Sequence, residues 1–428
     1  MRKKSKKFSV GVIGLGYVGL PMLHLLSKKK MDYYGFDKDP KKIDLLKKNK
    51  SYISDVSSEQ LKIINKNRLL SLKEIYKIKD TDFIIFCLPT PLTKKKEPDM
   101  SIIENAFKII KPHLKKYQTI ILESTVYPGA TKDIFKKDLS KKFDLGNDFF
   151  LCYSPERINP GQLKKTGYKY FFENTTKVIS GYNLKSLKKI KDIYKILFKT
   201  THAAKSLEIA EMSKLVENAY RSVNIGLVNE LKMICKNLNL NIHNIQDVAS
   251  SKPFGFTKFT PGPGVGGHCI PIDPIFIDWI AKKNKSKANF ISLARTTNLK
   301  VTSWILNNIY KIIPEVKNFK VKKKILIIGI AYKPNVNDIR ESSGIEIFKK
   351  IKKYNNLVEY HDDKIDHINI LGKKYFSKTI KDYKNYDAII ICTAHDSLNK
   401  KVLYKKSKLI FDTRGIYKNY SSKKIIQL

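Results

Sequence analysis

Between Phe254 and Pro274 the chain reads FGFTKFTPGPGVGGHCIPIDP, which sets one thiol, Cys269, on a backbone of glycine and proline between aromatic residues and a carboxylate. Gly262, Gly264, Gly266 and Gly267, with Pro261 and Pro263, continue neither a helix nor a central strand. The segment is therefore a shaped loop whose bare backbone a ligand can approach closely. A helix beginning at Cys269 would favour the thiolate, which is the nucleophilic form of the group. Asp273 lies one turn further on and shares the cysteine's face if that helix forms. Read alone, the segment fits a thiol nucleophile and a small buried cysteine equally well.

Other reactive side chains stand at intervals along the chain. Lys214 and Asn218 are four apart in a helical pattern and share a face, though on that segment alone they read as solvated polar residues. Glu156 and Arg157, in SPERIN, are either a general base with an anion ligand or a surface ion pair, and the local sequence decides for neither. Thr90, Ser124 and Thr125 follow apolar strand patterns and are candidate contacts to the nicotinamide half of a dinucleotide or to a water. Lys333 and Arg340 lie in YKPNVNDIRESS and suit phosphates.

These residues need elements to position them. Phe8 to Ile13 is an apolar strand pattern that runs into Gly14-Leu-Gly16-Tyr17-Val18-Gly19 and then an amphipathic helix, Leu20 to Leu26. In that context the glycines make the tight turn that seats a pyrophosphate on a helix N-terminus. The next strand, Asp32 to Phe36, ends in Asp37, where a carboxylate binds the ribose hydroxyls of the adenosine and repels a 2'-phosphate, so the cofactor expected is NAD. Asp82 to Leu88, Thr119 to Leu122 and Phe149 to Tyr153 continue the strand series. From Ser206 to Leu240 the period becomes helical, with apolar residues at Leu207, Ala210, Leu215, Ala219, Val223, Leu227 and Leu231, a length suited to bridging two domains and offering a dimer surface. Val321 to Ile330, Glu359 to Asp362, Asp387 to Thr393 and Leu409 to Asp412 repeat the strand and helix alternation without the glycine triplet. The expected fold is α/β, two doubly wound Rossmann-like domains joined by a long central helix: residues 1–205 for NAD, 206–305 central with the cysteine loop, and 306–428 as the second domain.

Composition narrows the function classes. A length of 428 residues and 42% hydrophobic content suit two or three domains with real cores. Five cysteines, Cys87, Cys152, Cys235, Cys269 and Cys392, have neither disulfide nor metal-ligand spacing, so no metal is expected and a reducing cytoplasm is. The apolar run after MRKKSKK is short and broken by glycines, and no later run reaches membrane-spanning length. The formal charge of +44 is mostly lysine scattered along every segment, with arginine scarce and no recognition motif, which reads as a solvated surface rather than a nucleic-acid partner.

VIGLGYVGLP, STVYPG, SPERINPG, EMSKLVENAYRSVNIGLVNE, GVGGHCIPID, ARTTN and GIAYKPNVNDIRES, taken in order, resemble the UDP-glucose/GDP-mannose dehydrogenase family over nearly the whole chain. The resemblance implies two successive hydride transfers from a nucleotide sugar's 6-hydroxymethyl group to NAD, through an aldehyde and a cysteine thioester. It implies Cys269 as nucleophile, Lys214 and Asn218 near the substrate oxygens, Asp273 and Thr125 around the catalytic water, and Glu156 in thioester hydrolysis. It further implies substrate contacts from Phe254, Gly266, Lys333 and Arg414, with Arg340 near the cofactor, and Arg157 is kept as a substrate contact on its own reading as an anion ligand. The long central helix, read on its own pattern, is where a homodimer is expected to form. SPERINPG, with Pro160 and Gly161, resembles the branch acting on N-acetylated UDP sugars in capsule and O-antigen pathways. UDP-N-acetylglucosamine is the substrate expected, ahead of its manno and galacto epimers and UDP-glucose; a two-electron sugar dehydrogenase is the more distant alternative.

Overall fold

The computed structural model describes residues 8–53, 56–157, 172–267, 269–318, 320–354, 357–380 and 382–428; Pro160 and Gly161 lie outside them. The chain divides into two units, Met1–Glu217 with Ile275–Ser286, and Asn218–Pro274 with Lys287–Leu428.

In the first unit, strands β1 (Ser9–Ile13), β2 (Asp32–Asp37), β3 (Leu69–Ser71), β4 (Phe83–Phe86), β5 (Thr119–Leu122), β6 (Phe150–Tyr153), β7 (Lys177–Gly181) and β8 (Thr201–Ala203) form one sheet. Their order is β3-β2-β1-β4-β5-β6-β7-β8, and every neighbouring pair is parallel except β6 with β7. FIIF and TIIL are buried at every position, as strands covered on both faces must be. The helices are α1 (Gly19–Lys28), α2 (Pro40–Lys47), α3 (Ser58–Leu61), α4 (Ser101–Ile110), α5 (Ala130–Leu139) and α6 (Leu184–Leu197). The strand order reverses between β1 and β4, which fixes the crevice at their carboxyl ends as the ligand position of such a sheet.

Helix α7 (Leu207–Asn237) runs for 31 residues, and the division between units falls within it. Leu207, Ala210, Leu215 and Ala219 are buried as the helical period requires. Leu227 and Leu231 are not: they are 56% and 40% exposed, because the buried face moves over to Ser222, Val228, Asn229, Lys232 and Cys235.

The second unit adds α8 (Ile242–Ala249), the start of α9 (Cys269–Lys283), α10 (Asn289–Ile312), α11 (Ser343–Tyr354) and α12 (Lys400–Lys406). Its strands are β9 (Ile325–Ile328), β10 (Val358–His361), β11 (His367–Ile370), β12 (Lys373–Phe376), β13 (Ala388–Ile391), β14 (Ile410–Asp412) and β15 (Ile425–Gln427). Five of them form a parallel sheet, β10-β9-β13-β14-β15, and β11 with β12 is an antiparallel hairpin.

The second sheet repeats the first around its leading strand. Gly14 donates its amide to Phe36 and Gly329 to His361, both at 2.8 Å. Both have positive φ, +91° and +77°, and a Cβ on either would strike the facing strand's carbonyl, Cys87 at 2.7 Å or Thr393 at 1.9 Å. A Cβ on Gly19 would meet the Gly14 carbonyl at 1.8 Å, and one on Gly344 the Gly329 carbonyl at 2.8 Å. The outer two glycines of a dinucleotide turn are thus present in the second sheet, fifteen positions apart instead of five. Between them lies the segment carrying Lys333 and Arg340.

Candidate functional site

In the first unit the turn after β1 has the parts a dinucleotide requires. Gly14 and Gly19 are pressed against neighbouring backbone, whereas a Cβ on Gly16 would meet nothing within 4 Å, so the middle glycine borders open space ahead of α1. Tyr17 and Val18 complete the turn, half-buried. Asp37 ends β2 and is buried; its Oδ2 accepts the Leu15 amide at 2.9 Å and its Oδ1 the Asp39 amide at 3.0 Å. The carboxylate therefore also closes the turn it serves. Lys38 and Lys41 are exposed, and the ammonium near Asp37 is that of Lys42, at 3.7 Å. These residues fit NAD. At the ends of β4 and β5, the Thr90 hydroxyl donates to the Thr125 carbonyl at 2.7 Å and the Ser124 hydroxyl accepts the Leu88 amide at 3.1 Å, which ties the two loops together. Lys214 is buried on α7 in this unit, one turn before Asn218.

Cys269 is the first residue of α9 and is partly exposed, while Cys87, Cys152, Cys235 and Cys392 are all buried. Burial raises the Cys87 and Cys152 thiols and pushes Cys392 up to about 12, so these three stay protonated and inert. One turn into α9, Asp273 accepts the Nδ2 of Asn218 at 2.6 Å, both side chains buried.

The room at the loop glycines is taken up by the chain itself. A Cβ on Gly262 would lie 2.4 Å from the Arg414 guanidinium, one on Gly264 2.6 Å from the Ser343 hydroxyl, and one on Gly266 2.8 Å from the Glu341 carbonyl. The Gly267 amide donates to the Arg340 carbonyl at 2.8 Å, two residues before the thiol. Gly262 is pinned further: its amide donates to Asn229 at 2.9 Å and its carbonyl accepts the ammonium of buried Lys232 at 3.0 Å. The close approach expected of a ligand is thus also an approach of backbone to backbone.

The loops of the second sheet bring Lys333, half-buried, and Arg340, whose guanidinium forks onto Asp338 at 2.6 Å. Arg414, beyond β14, donates Nε to the Cys392 carbonyl at 2.6 Å. Phe254 is 68% exposed under the Lys252 ammonium. Asp362, Asp363 and His395 bring three ligand atoms within 4.8 Å. The Nδ1 of His395 accepts the Asn335 amide at 2.9 Å, and its Nε2 lies 3.1 Å from Asp362. Asp362 accepts the Ile330 and Ala331 amides, so with the Asn335 amide on His395 the cluster clasps the Lys333 loop by its backbone.

Glu156 and Arg157 are not an ion pair with each other. Arg157 pairs with Glu217 at 2.6 Å, and Glu156 with Lys177 at 3.0 Å. Lys177 also holds Glu123 at 3.1 Å, and the Tyr194 hydroxyl donates to Glu123. Burial pushes Glu123 up against the pull of Lys177. Burial would lower Lys177, but Glu123 and Glu156 outweigh it and hold the ammonium up. One cation thus serves two carboxylates. The sequence reading passed over Lys177 and Tyr194; the available signal was a lysine opening an otherwise apolar strand, KVISG, and a glutamate closing TIIL.

Three consecutive family models match the chain: the UDP-glucose/GDP-mannose dehydrogenase family's NAD binding domain at residues 8–198, its central domain at 208–300 and its UDP binding domain at 326–419. Protein CapL of Staphylococcus aureus is 33% identical over 420 residues, covering 95% of this chain and 96% of that one. The UDP-N-acetyl-D-glucosamine 6-dehydrogenase of Salmonella typhi is 32% identical, with 91% of each covered, and the UDP-N-acetyl-D-mannosamine dehydrogenase of Methanocaldococcus jannaschii 34%, with 95% and 92% covered. Among solved structures, a UDP-D-ManNAc dehydrogenase from Pyrococcus horikoshii superposes with a TM-score of 0.83 at 25% identity, covering 95% of both chains.

Proposed function

The chain belongs to the UDP-glucose/GDP-mannose dehydrogenase family and is an NAD-dependent nucleotide-sugar oxidoreductase, and we propose that it carries out the four-electron oxidation of a UDP-N-acetylhexosamine to the uronate. The single observation carrying this reading is Cys269: among five cysteines it is the partly exposed one, at a helix start, with the Asn218–Asp273 pair one turn away.

NAD, when bound, accepts a hydride in each of the two oxidations. Lys214 supplies positive charge to the substrate oxygen as it becomes an alkoxide, and Asn218 a hydrogen-bonding amide. The Cys269 sulfur adds to the aldehyde carbon, giving a hemithioacetal that still carries a hydrogen to lose as hydride; its oxidation leaves a thioester. Water then adds to the thioester carbon and the carbon–sulfur bond breaks, releasing carboxylate and regenerating the thiol. Asp273 and Thr125 position that water and Glu156 takes its proton. In net terms one alcohol and one water give one carboxylate, with two hydrides transferred.

The favoured substrate is UDP-N-acetylglucosamine, on the SPERINPG motif and the likeness to the Salmonella protein. UDP-N-acetylmannosamine is the second reading, supported by the Methanocaldococcus protein. Lys333, Arg340, Arg414, Arg157, Phe254 and Gly266 are assigned to nucleotide-sugar or cofactor contacts, and residues 1–205, 206–305 and 306–428 to NAD, central and sugar-nucleotide roles, in keeping with the matched spans. A homodimer through α7 is supported by its exposed stripe of Tyr220, Leu227, Leu231 and Ile234, 40% to 56% accessible. No helix among the described residues is long and apolar enough to cross a membrane, in keeping with a cytoplasmic role in surface polysaccharide synthesis. The test is stoichiometric. Purified protein, NAD and a panel of UDP-glucose and the three UDP-N-acetylhexosamines should give about two NADH per sugar, with one carboxylate gained, on a UDP-N-acetylhexosamine. About one NADH per sugar would refute the thioester route.

A further inference from the structure

We propose that Lys177 is the positioning residue for Glu156, holding its carboxylate aimed and ready to accept a proton, and that Glu123 tunes it by drawing on the same ammonium. The proposal rests on the assignment of thioester hydrolysis to Glu156.

The geometry begins with strand direction. β7 is antiparallel to β6, and the register pairs Tyr153 with Ser180. Continued three residues along each strand, that register sets Glu156 opposite Lys177. A β7 parallel to the rest of the sheet would begin at the opposite edge, so the one reversal in strand direction is what delivers this lysine to the carboxyl edge. Glu123 arrives at the same edge from β5, through the parallel register that pairs Leu122 with Tyr153.

Among the described residues, the groups around Glu156 come from four elements. Lys177 Nζ lies 3.0 Å from one Glu156 oxygen and 3.1 Å from Glu123, and the Arg157 amide donates to the other Glu156 oxygen at 2.6 Å. The Tyr194 hydroxyl, from α6, donates to Glu123, and the buried Cys87 thiol, beyond β4, lies near enough to feel all three charges. The Arg157 guanidinium is turned away, onto Glu217 and the Thr176 carbonyl. Side-chain exposure falls from 14% at Glu156 to 3% at Lys177 and none at Glu123. The arrangement is graded: a buried carboxylate behind, a buried ammonium between, and a partly exposed carboxylate in front. A buried pair needing only to be neutral has no use for the second carboxylate; here the front one keeps one oxygen on the cation and the other on the Arg157 amide and is the one of the three groups with more than marginal exposure, as a group that must receive a proton from water requires.

The experiment uses the full chain with NAD and UDP-N-acetylglucosamine and UDP-N-acetylmannosamine in parallel. It reads kcat against pH and the intact mass for an acyl adduct on Cys269, in Glu156→Gln, Lys177→Met, Lys177→Arg and Glu123→Gln. Expected for Lys177→Met are an accumulating adduct, a kcat about a hundredfold lower and an acidic limb moved up by about one pH unit. Lys177→Arg restores most of the rate, and Glu123→Gln, which leaves Lys177 wholly to Glu156, moves the limb down. Opposite displacements are what a merely structural lysine would not give; limbs unmoved in Lys177→Met and Glu123→Gln overturn the proposal. Glu123→Gln keeps it testable should Lys177→Met fail to fold. If Glu156→Gln itself accumulates no adduct, the assignment of Glu156 falls and the proposal with it. If Glu156→Gln accumulates adduct and Lys177→Met does not, the role of Lys177 alone falls.

Discussion

The carboxamide of Asn218, on α7, donates to the carboxylate of Asp273, in the first turn of α9, at 2.6 Å and out of reach of solvent. The pair fixes the orientation of both groups one turn from the thiol. Asn218→Asp replaces a donor by a second carboxylate at that distance, where two charges cannot both persist and one must take up a proton. NADH formation by Asn218→Asp is expected to fall by about a hundredfold or more, and further than in Asn218→Ala, which only removes the donor. Steady-state kinetics on the two variants side by side makes the comparison; equal losses would mean that the carboxamide acts alone.

Cys269→Ser retains the size of the side chain and loses the thiolate. Net uronate formation should drop below about a thousandth of wild type, ~4 kcal/mol of transition-state stabilisation. Sugar products followed by mass should show no more than aldehyde-level oxidation. Full conversion to the uronate by this variant would remove the covalent route.

The two glycines that flank Tyr17 and Val18 should fail in different ways. Gly16 borders open space, so Gly16→Ala should fold normally and lose NAD affinity by about an order of magnitude, ~1.4 kcal/mol. Gly19→Ala would put a methyl 1.8 Å from the Gly14 carbonyl and should lower stability by about 1–3 kcal/mol. Thermal unfolding without cofactor, followed by NAD titration, separates the two.

Lys232 links the cysteine loop to the end of the chain through the Gly262 and Leu428 carbonyls. Burial, then the neighbouring Arg414, lower its pKa to about 7 against the partial opposition of Asp412. The unfolded lysine stays protonated to about pH 10.4. Between the two values the unfolded chain binds the extra proton, so stability should rise with pH over that interval. Lys232→Met removes the titration, and its melting temperature relative to wild type should be highest near pH 6 and fall steadily towards pH 10. A difference constant across that range would show that Lys232 is fully charged in the folded protein.

Leu227→Glu places a charge in the middle of the exposed stripe on α7. A dimer seated there should shift to monomer in sedimentation velocity, while an unchanged sedimentation coefficient would put the interface elsewhere.

Much of this was legible because it is local. A strand, a glycine turn, a helix and a carboxylate at Asp37 occupy consecutive residues, so their types and spacing suffice. Cys269 at a helix start was readable for the same reason. The helical period of α7 was readable too, but not which face stays buried, since that depends on what packs against it: Leu227 and Leu231 keep the apolar period yet are exposed. The Glu123–Lys177–Tyr194 network joins residues up to 71 positions apart, and it exists only once β7 has paired antiparallel to β6. Short strands such as β3, β8 and β15, three residues each, carry too little pattern to be seen alone. The second sheet's glycine pair was missed because Gly329 and Gly344 no longer fall within one motif.

That pair brackets the segment between them. Gly329 and Gly344 lock to each other and to β13 through backbone atoms, as Gly14 and Gly19 lock to each other and to β4, whatever length of chain separates them. Asp362 clasps the start of the segment by its amides, which every residue type but proline provides. The frame thus holds both ends of the segment through backbone, and residues within it answer to the cysteine loop instead, where the Arg340 carbonyl accepts the Gly267 amide and Tyr332 and Glu341 crowd Gly266.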